Sequence, residues 1–88
     1  MWMPRFFFYV VNGHGEIADD EGSDAESHSA ARKIALDSIR SMVAEDARAG
    51  RIDLSGRIEI KDASRNILLT VCYAEAFDVR MPEGSASD

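Results

Sequence analysis

Phe6-Phe7-Phe8-Tyr9-Val10-Val11, closed by Asn12-Gly13, is the stretch on which the fold turns. Aromatic and β-branched side chains favour a strand, and the absence of any polar alternation predicts a strand buried on both faces. The bracketed turn Asn12-Gly13-His14-Gly15 is of the kind that joins antiparallel strands. Glu16-Ile17-Ala18 then reads as a short second strand at an edge, and Asp19 to Asp24 as a polar loop turning at Gly22.

Beyond that loop the period changes from two to 3.6. Ser27 is placed to cap a helix, with Asp24 and Glu26 adding negative charge beside its N-terminus. At 100° per residue Ala31, Ile34, Ala35, Ile39, Met42 and Val43 fall on one side, while Lys33, Asp37, Arg40, Ala44 and Arg48 lie opposite. The pattern predicts an amphipathic helix of about six turns with Gly50 as its terminating residue. Ala31 and Ala35 allow a close approach to a sheet. A connector follows in which Ile52 and Leu54 are expected to tuck under the helix end.

Arg57-Ile58-Glu59-Ile60-Lys61 alternates cleanly, predicting a strand with Ile58 and Ile60 inward. After a turn at Asp62–Asn66, the run Ile67 to Tyr73 is again apolar on both faces, and Ala74–Phe77 suits a helical turn or a strand extension. The expected architecture is α+β: a two-layer sandwich with an antiparallel four-stranded sheet and one helix, in the order β-β-α-β-β. Residues 3–80 form one domain and residues 81–88 a flexible C-terminal tail. A single helix covers one sheet face only. The other is expected to need a cover, either the Phe77 segment folding back or a second copy of the chain.

At 88 residues, with 45% hydrophobic and 30% charged side chains, the chain has material for one core. The single Cys72 forms no internal disulfide, which suits a reducing cytoplasm. The longest apolar run is far short of the roughly 20 residues needed to cross a bilayer, and Met1–Arg5 lacks the pattern of a secretory signal. A cytoplasmic protein without membrane contact is expected. The net charge of −6 repels polyanions and counts against nucleic acid as a default partner.

No catalytic constellation is legible. The acidic loop does not place oxygens at the alternating positions of a calcium loop. His14, His28 and Cys72 contain no close ligand pair, and Cys72 between Val71 and Tyr73 reads as a small buried hydrophobe. Gly13, Gly15 and Gly22 match neither phosphate-binding glycine pattern, so no cofactor is expected.

Met3-Pro4-Arg5-Phe6-Phe7-Phe8, Asn12-Gly13, Asp20-Glu21-Gly22, Ala31-Arg32 and Ala35 together resemble a family of short, uncharacterised bacterial proteins that open Met-Pro-Arg-Tyr-Phe-Phe. Its members continue with an Asp-Gly turn and an Asp-Glu-Glu-Gly stretch, and it is known as a domain of unknown function. Ile58-Glu59-Ile60-Lys61-Asp62 and Leu68-Leu69-Thr70-Val71 resemble its second half, so the likeness spans about Met3 to Phe77. It implies a fold and no mechanism, and suggests Met3 as the initiator. The chain departs at Arg65, where the family has a turn glycine, and at Tyr9, where a polar residue is common. A fold-level likeness to bacterial antitoxins is more distant.

The leading expectation is a non-enzymatic module that self-associates or binds an unidentified protein through its sheet. Phe7, Tyr9 and Val11 are its candidate contacts, with Leu68, Thr70 and Cys72 as neighbours; Phe6, Phe8 and Val10 exchange roles with the first three if the helix lies on the other face. The alternative is a nucleic-acid-associated, antitoxin-like regulator contacting phosphates through Lys33, Arg40, Arg48 and Arg51 on the outer helix face.

Overall fold

The computed structural model describes residues 3–83. Met1-Trp2 and residues 84–88 lie outside the described residues, and with them most of the expected tail. The chain forms β1 (Arg5–Asn12), β2 (Gly15–Ile17), β3 (Ser23–Asp24), α1 (His28–Arg48), β4 (Arg57–Lys61), β5 (Ile67–Cys72) and a 3₁₀ turn (Tyr73–Ala76). The α+β class and the β-β-α-β-β order are borne out, with the two-residue β3 added. All pairings are antiparallel in the order β2-β1-β4-β5, and β3 joins β2 along the outer side of β1.

β1 thus has partners along both sides, as does β4 between β1 and β5. Register aligns Phe8 with Ile60 and Leu69, and Val10 with Ile58 and Val71. These rows, with Phe6, face α1, whose Ala31, Ala35, Ile39 and Val43 complete the core. Ala31 and Ala35 are fully buried, so the helix backbone sits close over the sheet. Ile34 lies at the margin of this face at 36% exposure, and Leu36 is half-buried against the core. Ile52 is 69% exposed rather than tucked in; only Leu54 of that pair reaches the core.

Both helix ends follow the sequence reading. Ser27 Oγ accepts the Ala30 amide at 3.1 Å. At the other end the Gly50 amide donates to the Ala47 carbonyl at 2.9 Å and the Arg51 amide to that of Asp46 at 3.0 Å, with Gly50 at φ +92°. That is the Schellman arrangement, which a glycine adopts without strain.

The C-terminal segment stays on the helix side. Tyr73 and Ala76 are buried, Phe77 packs against the core, and Arg40 Nε donates to the Ala76 carbonyl at 2.9 Å. The Phe77 segment therefore does not cover the second sheet face.

Candidate interaction surface

The face of the sheet away from α1 is built by the alternate residues of the same strands. Register sets Phe7 beside Lys61 and Ile67, Tyr9 beside Glu59 and Thr70, and Val11 beside Arg57 and Cys72. Parity in β1 thus settles which residues face outward: Phe7, Tyr9 and Val11 lie here, half-buried, with exposed Thr70. Leu68 does not join them. The ladder slips beside Lys61, leaving Leu68 unpaired at a bulge and packed against the core cluster.

β4, between the two apolar strands, carries a charged row outward. Arg57 Nε stands 3.0 Å from Glu59 Oε2, and Lys61 Nζ lies 3.7 Å from Glu59 Oε1 and 4.0 Å from the centroid of the Tyr9 ring. The Glu59 and Lys61 side chains are only 13% and 15% exposed, low for charged groups on an open face. Their stems lie flat over neighbouring apolar surface while their heads pair, and the ammonium meets the ring face. The expected bare apolar face is thus partly covered by the chain's own charged side chains. Sequence alternation placed these charges in water; only the register reveals that they lean over Tyr9.

At one end of this face a cleft of about 260 Å³ is lined by Phe7 and Tyr9 together with Asp19, Asp20, Asp62 and Arg65. Burial alone would raise the Asp19 carboxyl, but amides of Phe8, Gly22 and Glu21 donate to it and hold it below its ordinary value. Asp62 is held low by the Asn66 amide and side chain and by the Ser64 amide. Arg65, in place of the expected turn glycine, itself takes φ +70°.

A second concavity of similar size lies beside the β1–β2 turn and the end of α1, where Met42 and Tyr73 meet His14, Asp46 and Asp53. Asp53 is held low by the Ser55 hydroxyl and amide and pairs with Arg51 at 3.5 Å. Among the described residues, no three His, Cys, Asp or Glu side chains stand close enough to hold a metal ion. His28 meets Phe6 edge-on at 5.6 Å, His14 is in the exposed turn, and Cys72 is exposed at the edge strand rather than buried. Parity puts Cys72 outward, which its apolar neighbours concealed.

The four basic residues of the alternative reading differ in their partners. Arg40 is tied to Ala76 and to Asp37 at 3.3 Å, and Arg51 lies beyond the helix, paired with Asp53. Lys33 and Arg48 are exposed on α1. Among the described residues, no helix is long and apolar enough to cross a membrane.

The fold and this surface define a small single-helix α+β domain with an open, charge-laced sheet face. The chain belongs to the family described as a domain of unknown function (DUF6894), whose model matches residues 5–74. That span holds every strand and the helix, and ends within the 3₁₀ turn. No curated protein and no solved structure matches the chain.

Proposed function

We propose that the domain is a non-enzymatic protein-interaction module that works through its sheet. The observation that carries the reading is the outer face: no secondary-structure element among the described residues covers it, and Phe7 and Tyr9 line a cleft together with Asp19, Asp20, Asp62 and Arg65. Aromatic anchors beside charged groups are the composition by which protein interfaces combine affinity with orientation. The Lys61–Tyr9–Glu59 arrangement supports it further, because side chains already held in place lose less entropy on docking.

Site-specific photocrosslinking in cells tests this, with a photoreactive phenylalanine analogue at position 9 in one chain and at Lys33 on the helix in another. Protein adducts concentrated at position 9 are expected. Adducts to nucleic acid at position 33, with none at position 9, would transfer the function to the helix face.

A further inference from the structure

We infer that the chain also pairs with a second copy of itself, antiparallel along the β5 edges about a two-fold axis at Thr70, joining the sheets into one. This goes beyond the interaction reading, since the β5 edge is a surface distinct from the cleft at Phe7 and Tyr9.

The two edges of the sheet are unlike. On the β1 side the edge is guarded by two very short strands and an acidic loop, the usual protections against unwanted pairing. β5 is the opposite edge; its sequence, Ile67-Leu68-Leu69-Thr70-Val71-Cys72, contains no charge and no proline. The Tyr73 amide donates to the Gly56 carbonyl at 2.9 Å, which fixes the alternation: in register, the backbone groups of Val71 and Leu69 point to β4, and those of Cys72 and Thr70 point away. Glu75 Oε2 accepts the outward Cys72 amide at 2.9 Å. Thr70 has no such cap: among the described residues, its outward N–H and C=O meet no partner.

A second copy fits this edge for two reasons. An antiparallel pair centred on Thr70 is self-complementary, each Thr70 giving its N–H to the other's carbonyl. It brings half-buried Leu69 beside Val71 of the second copy on the helix side.

The test is solution mass by sedimentation from micromolar to millimolar chain, with circular dichroism to verify folding. The mass is expected to rise from 9.7 kDa toward twice that value. Thr70→Lys, which sets two ammonium groups face to face, should hold the chain at monomer mass to at least tenfold higher concentration. Thr70→Cys in a Cys72→Ser background should oxidise to a disulfide dimer, since facing Cα atoms of such a pair are about 5.5 Å apart. The natural Cys72 should not, because the register separates the two copies of it by about 13 Å. A chain monomeric throughout, a Thr70→Lys chain that dimerises unchanged, or a natural Cys72 that crosslinks as readily as Cys at position 70 would each overturn the pairing. Position-9 adducts persisting in a chain that is always monomeric would end this proposal and leave the interaction reading standing.

Discussion

Asp19 Oδ2 accepts the backbone amide of Phe8 at 3.0 Å, filling the gap that the β2 and β3 pairings leave along the outer edge of β1. Val10 pairs with Ile17 on one side of that gap and Phe6 with Ser23 on the other, while the chain between bulges away as a loop. The same carboxylate accepts the amides of Glu21 and Gly22, so one side chain both closes the strand edge and folds the loop. The acidic loop is therefore structural.

Replacing Asp19 by Ala should remove this closure. A hydrogen bond to a charged acceptor contributes about 1.5–3 kcal/mol when buried, and partial exposure here reduces that to about 1–2 kcal/mol. Urea unfolding should show a lower midpoint with an unchanged slope.

Acid should destabilise the chain through several carboxyls together. Asp19, Asp62 and Glu75 all lie below their ordinary values in the folded chain, Glu75 through the Cys72 amide first and Arg32 second. Groups lowered on folding contribute stability that is fully present above their unfolded values, about 4, and lost as pH falls through their folded values. The melting temperature should hold above about pH 5 and fall below about pH 4. Asp19→Asn should melt lower than the natural chain at neutral pH, with the difference narrowing in acid.

Gly22 admits no side chain. At φ +73°, its Cβ would stand 2.9 Å from the Phe6 carbonyl oxygen, from Arg5 Cγ and from Phe7 Cε2. A backbone oxygen does not yield as a flexible side chain does, so Gly22→Ala should cost about 2 kcal/mol or more. Gly13→Ala, whose nearest contact is 3.8 Å to the Asp53 carboxylate, should stay within about 0.5 kcal/mol of the natural chain. Thermal melts of the two variants check the contrast.

Arg65→Gly should act in the opposite sense on stability. A left-handed arginine costs about 1–2 kcal/mol, of which glycine's greater freedom in the unfolded chain returns part. A gain of about 0.5–1 kcal/mol is expected from denaturant unfolding of the dilute chain.

Much of this was legible in the sequence because period and turn chemistry agreed. Ser27 and Gly50 marked the helix ends, and the alternation of Arg57–Lys61 fixed the inward Ile58 and Ile60. What was hidden depends on contacts between distant residues. Asp19 reads as one acid among several until Phe8 is beside it. A two-residue strand such as β3 has no period of its own. Leu68 leaves its expected row because of a bulge, and Lys61 covers Tyr9 only because β4 lies next to β1.

Amide hydrogen exchange, followed residue by residue from micromolar to millimolar chain, tests the central claim that this sheet has one closed edge and one working edge. The Phe8 amide should be protected at every concentration, and the Thr70 amide should exchange freely in dilute chain and gain protection as concentration rises. A Thr70 amide that is protected even in dilute chain, or one that remains unprotected while another surface gains protection, would contradict the account.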